Sequence, residues 1–269
     1  MDEKEFSEII ALISQQTGII PRESHRAGIM NFIEKRKKEI SLNGLPYSAY
    51  LRLNKGEMNI LLNAATVNET YFFREESQFS LLKDKIFPEF RAKLGSKPLR
   101  IWSAASSSGE EIDSLYLLAQ SLSIKTECVA SDINTAVLEK CAKGEYKPNS
   151  VKSVDGAKFQ HLLAKYQKTD KSVVFPKEIC NQIERRQINL SFVAESFPRN
   201  VNLIFIRNVF IYFTVELRRQ ILKKIVDESL TDGGYLFVSM SELPALDSSV
   251  LPKNLEKVCD GKVFYFKKI

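Results

Sequence analysis

The spacing of apolar residues divides the chain into a helical first part and a second part in which strands and helices alternate. Apolar residues at positions 6, 9, 10, 12 and 13 recur at helical spacing, and Gly18 then supplies a stop signal. After a turn at 43–46, the stretches 44–54 and 57–67 continue the helical pattern. We therefore predict an all-α N-terminal domain over residues 1–90.

From Leu99 onward, short β-rich runs alternate with amphipathic stretches of helix length. The β-rich runs lie at 99–103, 126–131, 201–206 and 235–240. This alternation predicts a parallel sheet with helices on both faces. The fold class is therefore α/β, a doubly wound Rossmann-like sheet over residues 99–269. A basic linker at 91–98, which carries Gly95 and Pro98, is expected to join it to the helical domain.

Two segments depart from the alternation. Between 155 and 188, the short β-like pieces 173–175 and 184–188 surround a polar turn region, which predicts a small inserted β-subdomain. Near the C-terminus, the runs 256–259 and 262–266 flank the turn pair Asp260-Gly261. Such a pair favours a tight hairpin, so the last strand of the sheet is expected to be antiparallel.

Composition narrows the class of protein. Hydrophobic residues make up 44% of the 269 residues and charged residues 27%, and the longest apolar runs are too short to cross a bilayer. The N-terminus opens with charged residues and shows no secretion signal, so a cytoplasmic protein without membrane insertion is expected. The net charge of +6 is modest and favours a solvated helix face over a nucleic-acid site. Its densest patch comprises Arg22, Arg26 and 35–38, and this patch would attract an acidic protein surface.

The sequence gives little support for a metal site or for a hydrolase active site. The four cysteines, at 128, 141, 180 and 259, share no C-x-x-C spacing, and only His25 and His161 could assist them. Buried reduced thiols and no metal are the better interpretation. A Ser-His-Asp or Cys-His hydrolase is disfavoured as well, because neither histidine is near a nucleophile motif.

The ends of the predicted strands are the first places to seek a site, because ligands of doubly wound sheets lie there. The loop after the first strand has one glycine, Gly109, where a dinucleotide fingerprint has three, so a cofactor without phosphate fits better. Glu111 follows Ser108 by three residues, which also fits a capping box. Asp132 could accept from ribose hydroxyls or, with Asn134, cap a helix.

Other polar residues stand in unusual surroundings. Arg207 and Asn208 leave an apolar strand, where they are costly unless they find partners at the crevice, so a site role is favoured. Tyr212 lies among apolar residues, which is typical of a core residue whose hydroxyl reaches the surface. The stretch 66–75 packs hydrogen-bonding side chains around adjacent aromatics; it is either part of a site or a capping turn followed by a buried aromatic pair.

Taken together, these motifs resemble the chemotaxis receptor methyltransferases, the CheR family. That family methylates glutamate side chains of bacterial chemoreceptors with S-adenosylmethionine (SAM). The stretches that match in order are TVNETYFFRE, IWSAASSSGEE, ASDIN, INL, FIRNVFIYF and DGGYLFVSMSE, and the likeness covers nearly the whole chain from about Phe6. The resemblance implies the same helical domain, methyltransferase domain and inserted β-subdomain.

The resemblance also implies roles for individual residues. Contacts to the cofactor are implied for Asn68, Thr70, Arg74, Glu111, Asp132, Asn189, Leu190, Arg207 and Asn208. Among them, Arg74 suits the methionyl carboxylate and Asp132 the ribose. Asn189 and Leu190 match the pair beside the adenine, where an amide oxygen can accept from the exocyclic amine. Tyr212 matches an aromatic close to the transferring methyl, so the expected catalytic residues are Tyr212 and Arg74.

The implied reaction agrees with what the sequence lacks. A glutamate side chain has a pKa of about 4.3, so it is already a nucleophile at neutral pH and needs no general base. The sulfonium is already a good leaving group, so no metal is needed. The expected activity is therefore a SAM-dependent protein-glutamate O-methyltransferase in chemotaxis adaptation, with S-adenosylhomocysteine (SAH) as product. Its expected partners are glutamate-rich chemoreceptor helices, with a receptor tail as a further candidate that the inserted subdomain would bind by strand addition.

Two alternatives remain open at this point. Ile112-Asp113 and Ser239-Met240 stand where the family often has Pro-Tyr and Gly-His. These departures leave room for a SAM-binding scaffold or regulatory protein with altered catalysis in a signalling complex. A nucleotide-sugar or nicotinamide enzyme could use the same kind of sheet.

Overall fold

The N-terminal part is a helical unit with a core of its own. The computed structural model describes residues 2–152, 154–192 and 194–269. The helices of this unit are α1 (Glu3–Thr17), α2 (Glu23–Glu39), α3 (Tyr47–Leu53) and α4 (Lys55–Ala65). Their apolar faces meet in one buried cluster that includes Phe6, Ile33, Tyr47 and Leu61. Gly18 ends α1 in the left-handed conformation, as its place after the apolar pattern predicts.

The next helices belong to the second domain. They are α5 (Glu76–Leu81), a π-helical turn (Leu82–Ile86) and α6 (Phe87–Leu94). Their buried aromatics, among them Phe79 and Phe90, pack in the core of the sheet domain. The predicted boundary at residue 90 is therefore corrected to the loop after Ala65, and the predicted linker at 91–98 begins inside α6. Periodicity shows which face of a helix is apolar, but it does not show which core that face joins.

The second domain is built on a seven-stranded sheet. The strands of the chain are β1 (Leu99–Ala104), β2 (Thr126–Asp132), β3 (Glu145–Tyr146), β4 (Val173–Val174), β5 (Ile183–Gln187), β6 (Val201–Ile206), β7 (Leu230–Phe237), β8 (Leu255–Asp260) and β9 (Val263–Lys268). Between them lie α7 (Glu110–Ser121), α8 (Thr135–Lys143), α9 (Lys177–Cys180) and α10 (Val215–Lys224), which a π-helical turn (Ile225–Ser229) follows. The main sheet has the order β5-β2-β1-β6-β7-β9-β8.

The pairing of the strands confirms the predicted fold class. The strands from β5 to β7 are parallel, β9 pairs antiparallel with β7, and β8 pairs antiparallel with β9 and closes one edge. The hairpin is confirmed, although its turn is 261–262 and not Asp260-Gly261. Both faces of the sheet are covered, because alternate side chains of β1 enter different cores: Ile101 packs in the cluster that includes α7, and Trp102 in the cluster that includes α10.

The predicted β-subdomain at 155–188 is only partly strand. Within it, β4 pairs antiparallel with β3 in a separate two-stranded sheet, and the segments 157–162 and 164–166 are 3-10 helices. The second β-like piece lies elsewhere: β5 pairs in parallel with β2 and forms an edge of the main sheet. This correction has a physical reason. Only Ile183 of β5 is buried, so this edge strand has the polar sequence of a surface segment.

The prediction of buried reduced thiols is confirmed for three of the four cysteines. Cys128, Cys141 and Cys180 are buried free thiols, and burial raises the pKa of Cys128 and of Cys141 to about 12. The prediction is wrong for Cys259, which is exposed on β8. Across the described ranges, the helices are too short or too polar to traverse a bilayer.

Candidate functional site

A cleft opens at the carboxyl ends of the central strands. The strand order reverses at β1, which lies between β2 and β6, and ligands of such sheets bind at this switch point. The ten residues predicted from the sequence all line the cleft: Asn68, Thr70, Arg74, Glu111, Asp132, Asn189, Leu190, Arg207, Asn208 and Tyr212. Residues from five separate stretches of the chain, at 68–74, 111, 132, 189–190 and 207–212, thus meet at one place.

The loop after β1 is tightly folded against its neighbours. Ala105 and Ser107 both have positive φ, at 61° and 52°, which is uncommon for residues other than glycine. Gly109 has a φ of 100°, and a Cβ there would lie 2.5 Å from the Sγ of Cys141. The glycine therefore permits α7 to start directly against α8, and the loop runs close beneath the cleft.

Asp132 ends β2 and is fixed by this loop. The amide N of Ser107 donates to its Oδ2, and the amide N of Asn134 donates to its Oδ1, both at 2.9 Å. Burial raises the pKa of Asp132, and the two N–H bonds oppose that shift. Asn134, and not Asp132, caps α8, since its side chain accepts from the amide N of Val137. Each carboxylate oxygen has two lone pairs, so Asp132 keeps acceptor capacity for hydroxyl groups in the cleft.

Arg207 and Glu111 form a buried ion pair at the floor of the cleft. The Nε of Arg207 donates to Oε2 of Glu111 at 2.6 Å, and the Oγ of Ser103 donates to Oε1 at the same distance. The expected partners of Arg207 at the crevice are therefore present. The capping box expected for Glu111 is wrong: α7 has no side-chain cap, and the Oγ of Ser108 bonds to Glu110 instead.

The same guanidinium holds the loop that carries Arg74. The Nη1 of Arg207 donates to the backbone oxygen of Arg74 at 2.7 Å and to Oε1 of Gln78 at 3.1 Å. The side chain of Arg74 donates one bond, from Nη1 to the backbone oxygen of Glu69 at 3.0 Å, and its guanidinium lies 5.4 Å from the ring centroid of Tyr71. A guanidinium has five N–H donors, so Arg74 retains donors for an anionic group.

The stretch 66–75 contains a turn, a buried aromatic pair and residues of the cleft wall. Thr66 ends α4, and Phe72 and Phe73 are a buried aromatic pair. Asn68 and Thr70, between these features, line the cleft. The turn that anchors the pair and the wall of the site are thus one segment.

An acidic residue far along the chain clamps that segment. Asp155 accepts from the backbone N–H groups of Glu75 and Glu76, at 2.8 and 2.9 Å, where α5 begins. Its Oδ2 also accepts from the hydroxyl of Tyr71 at 2.8 Å. Sequence reasoning missed Asp155, because no local pattern links it to a loop 80 residues away.

Glu242 is a second residue that sequence reasoning missed. It is fully buried and accepts from the backbone N–H groups of Asn208 and Ile211, at 2.6 and 3.3 Å, which fixes the loop after β6. Burial raises the pKa of Glu242, and these N–H bonds oppose that shift. Asn208 has a φ of 58°, so the loop needs such support. A signal was present: Ser239 and Glu242 have capping-box spacing, and the structure contains that box.

The helical domain supplies the opposite wall of the cleft. Thr17, Ile19, Pro21 and His25 line it, although no sequence pattern pointed to them. The amide N of Ile20 donates to the backbone oxygen of Tyr212 at 3.0 Å. Contacts of this kind depend on how two domains dock, which the pattern of one chain segment does not show.

Tyr212 lies where the two domains meet. Its ring is partly exposed, and the guanidinium of Arg22 lies 5.6 Å from the ring centroid. Burial raises the pKa of the Tyr212 hydroxyl, and the charge of Arg22 opposes that shift. The residue is therefore a wall of the cleft rather than a core aromatic.

Asn189 points toward the helical domain. Its Nδ2 donates to the backbone oxygen of Gln16 at 2.7 Å, and its Oδ1 accepts from both the amide N and the Oγ of Ser191. The expected bond from an adenine amine to this oxygen stays a prediction, and it would replace one of the two bonds from Ser191. Leu190 and Ile188 are buried and give this end of the cleft an apolar wall.

Comparisons with known proteins agree with this geometry. Residues 68–254 match the family described as CheR methyltransferase, SAM binding domain. The chain is 31% identical over 252 residues to the chemotaxis protein methyltransferase of Escherichia coli, and the aligned region covers 90% of this chain and 85% of that protein. It is 33% identical over 251 residues to chemotaxis protein methyltransferase 2 of Vibrio cholerae, with 88% and 84% covered. It is also 28% identical over 277 residues to the Cher2 methyltransferase of Pseudomonas putida, with 98% of both chains covered.

Proposed function

Because this chain belongs to the CheR methyltransferase family, we propose that its cleft binds SAM and transfers the methyl group to glutamate side chains of chemoreceptors. It is a SAM-dependent methyltransferase of chemotaxis. The observation that carries the proposal is the convergence of all ten expected site residues on one cleft at the switch point of the sheet.

The chemistry of the cleft wall fits the three parts of SAM. The apolar end at Ile188 and Leu190 suits a flat adenine ring. Asp132, at the end of β2, has acceptor capacity for the ribose hydroxyls, and the free donors of Arg74 suit the methionyl carboxylate through charged hydrogen bonds. Held by these residues, SAM would lie across the ends of β5, β2, β1 and β6.

Other expected contacts act in different ways. Asn68 and Thr70 border the methionyl end from the loop above it. Arg207 and Glu111 satisfy each other's charge, so we propose that they support the floor and the loop of Arg74. Asn208 is held in its left-handed conformation by Glu242 and lies beside Arg207 at the same floor.

SAM supplies an electrophilic methyl group on a positively charged sulfur. The chain's own task is to bring a glutamate carboxylate into line with that methyl and to exclude water. The carboxylate oxygen forms the new bond to carbon as the carbon–sulfur bond breaks, so no proton must be moved. Tyr212 and Arg74, at the meeting point of the two domains, are proposed to align the reacting groups.

The proposed substrate is an acidic receptor helix that approaches along the helical domain. The basic patch is partly neutralised there: Arg26 pairs with Glu3 at 2.9 Å, and Lys37 pairs with Glu5 at 3.1 Å. Arg22 is exposed and lies at Tyr212, which makes it the better guide for an acidic helix.

A receptor tail is a second proposed contact. The two-stranded β3–β4 sheet stands apart from the main sheet. An extended tail could add to it as a further strand, with backbone hydrogen bonds supplying the affinity.

The scaffold alternative gains no support from the departures in sequence. Ile112 and Asp113 are buried in α7 and do not line the cleft. The hydroxyl of Tyr146 donates to Oδ2 of Asp113 at 2.5 Å, and burial raises the pKa of that carboxyl to about 7. The hydroxyl of Ser239 bonds to Glu75. These residues have structural partners of their own, so the departures leave the cleft complete.

The proposal is tested by incubating the purified protein with methyl-labelled SAM and a cytoplasmic fragment of a chemoreceptor. We expect label on the fragment as base-labile methyl esters. A matched fragment with its candidate glutamates changed to alanine should stay unlabelled. Binding of SAM without any transfer to receptor fragments would support the scaffold instead, and stronger binding of a dinucleotide than of SAM would support a nicotinamide or nucleotide-sugar enzyme.

A further inference from the structure

Ser106, in the wall of the cleft, has a side-chain hydroxyl that makes no hydrogen bond within the described residues. Its side chain is 2% exposed, and its Oγ is buried without a hydrogen-bond partner among the described residues. The backbone is satisfied, since the amide N donates to the backbone oxygen of Ser131 at 2.8 Å. A buried hydroxyl without a partner destabilises a folded protein, so this one calls for a reason.

The neighbouring serines in the loop are different. The Oγ of Ser107 donates to the backbone oxygen of Asn68 at 3.2 Å, and the Oγ of Ser108 donates to Oε2 of Glu110 at 2.7 Å. Thr126, Arg185 and Ser229 also have a buried polar atom without a partner in the described part of the chain, but they do not line the cleft. Ser106 thus has a buried hydroxyl without a partner and also lies in the wall of the cleft.

The strand order shows which part of the cofactor passes Ser106. Asp132 is the last residue of β2, Ser106 follows β1, and Arg207 follows β6, and these three strands are adjacent. Neighbouring strands lie about 4.8 Å apart. A ribose at Asp132, with the adenine on the far side toward β5, places the methionyl chain across the end of β1. The amino-acid end of the cofactor is therefore the part beside Ser106.

We propose that the Oγ of Ser106 accepts a hydrogen bond from the α-ammonium group of SAM. The inference rests on the proposed function and adds a residue to it. Arg74 is suited to the carboxylate, and the oxygens of Glu111 already accept from Arg207 and Ser103, so a further acceptor for the ammonium has a role. A serine hydroxyl turns about a single χ1 torsion, so it reaches a ligand without backbone movement. The free-energy cost of burying the Ser106 hydroxyl away from water is offset only when the cofactor is bound.

The test is calorimetric titration of the wild type, Ser106→Ala and Ser108→Ala with SAH and with 5′-methylthioadenosine, which lacks the amino-acid end. We expect Ser106→Ala to weaken SAH binding about tenfold, as for one hydrogen bond to a charged group. Its affinity for 5′-methylthioadenosine should be unchanged, and its thermal midpoint without ligand should not fall, because an unsatisfied hydroxyl has been removed. Ser108→Ala, the control from the same loop, should keep its SAH affinity.

Each other outcome decides against the inference. SAH affinity of Ser106→Ala within twofold of the wild type would overturn it, and so would an equal loss for both ligands. A loss of SAH affinity together with a lower thermal midpoint would mean that the hydroxyl has a structural role. If the wild type itself fails to bind SAH, the proposed function fails as well; if the wild type binds and Ser106→Ala binds equally, the inference fails alone.

Discussion

Two arginine–glutamate pairs in this protein, one buried and one partly buried, have the same chemistry and different surroundings. In the helical domain, Arg36 donates two hydrogen bonds to Glu57, at 3.0 and 2.7 Å, and the hydroxyl of Tyr47 adds a third at 2.6 Å. In the sheet domain, Arg207 donates one bond to Glu111 and turns its other donors to the loop of Arg74 and α5.

What differs is the set of elements that each pair joins. Arg36 and Glu57 connect α2 with α4 inside one domain and do not line the cleft. The other pair connects the end of β6, the start of α7 and the loop at 66–75, and both of its members line the cleft. A buried ion pair is therefore part of a site only when the elements it joins carry the site.

The largest effect is expected for Arg207→Ala. Glu111 is then left as a buried charge without a cationic partner, which should lower the free energy of unfolding by about 3 to 5 kcal/mol. SAH binding should be lost too, because the loop of Arg74 loses its anchor. Denaturant unfolding and calorimetry check the two parts.

A double variant, Arg207→Met with Glu111→Leu, separates stability from binding. Replacing a buried pair by apolar residues of similar size often restores stability. We expect it to recover most of the lost unfolding free energy and still fail to bind SAH. Normal SAH affinity in either variant would show that Arg207 and Glu111 stabilise the fold without supporting the site, as Arg36 and Glu57 do.

Arg36→Ala should have a smaller effect, confined to stability. The Arg36 side chain is 21% exposed, so water can partly solvate the Glu57 carboxylate when Arg36 is removed. We therefore expect the free energy of unfolding to fall by roughly 2 kcal/mol. SAH affinity should be unchanged, and a decrease would contradict the separation of scaffold from site.

The pH dependence of this loss provides a second check. The hydrogen bonds of Arg36 hold the pKa of Glu57 below its usual value of 4.5. A depressed acid pKa stabilises the fold above the unfolded-state pKa, and that stabilisation is lost as the pH falls through the folded-state pKa. The stability difference between wild type and variant should therefore be full at pH 7 and shrink below about pH 4.5. A difference that is constant down to pH 3 would be inconsistent with this pair.

Arg74→Ala should act on binding alone. It removes charged hydrogen bonds to the methionyl carboxylate, so SAH binding should weaken by about 1.5 to 3 kcal/mol. The free energy of unfolding should change little, since Arg74 is partly exposed. Arg91→Ala, at an exposed arginine on α6, is the matched control. An unchanged dissociation constant would remove Arg74 from the cofactor site.

Tyr212→Phe should have the smallest effect on binding and act mainly on turnover. The ring that borders the cleft is kept, and only the hydroxyl near the reacting groups is lost. We expect a reduced rate of receptor methylation at saturating SAM with nearly normal SAH affinity. A large loss of affinity instead would place the hydroxyl against the cofactor and not against the acceptor.

The sequence predicted the parts that depend on local patterns and on sheet geometry. Apolar runs located β1, β2 and β6 to within one residue and only the second half of β7, and the rule that ligands lie beyond parallel strand ends singled out Asp132 and Arg207. Both patterns are short in range, since a strand is half a dozen residues and its end follows directly.

What depends on distant contacts was not predictable. β5 has a polar sequence, and only its pairing with β2 reveals it as a strand of the main sheet. The apolar residues of α5 and α6 predict a buried face but not the core that this face joins, so the sequence did not show that these helices pack on the sheet. His25 enters the cleft wall only because the two domains dock there.

The most direct test of the central claim is a crystal structure of the protein with SAH. We predict SAH in the cleft at the switch point, with its ribose at Asp132, its carboxylate at Arg74 and its adenine against Leu190, above an intact pair of Arg207 and Glu111. SAH bound elsewhere, or bound in this cleft with its carboxylate remote from Arg74, would contradict the account.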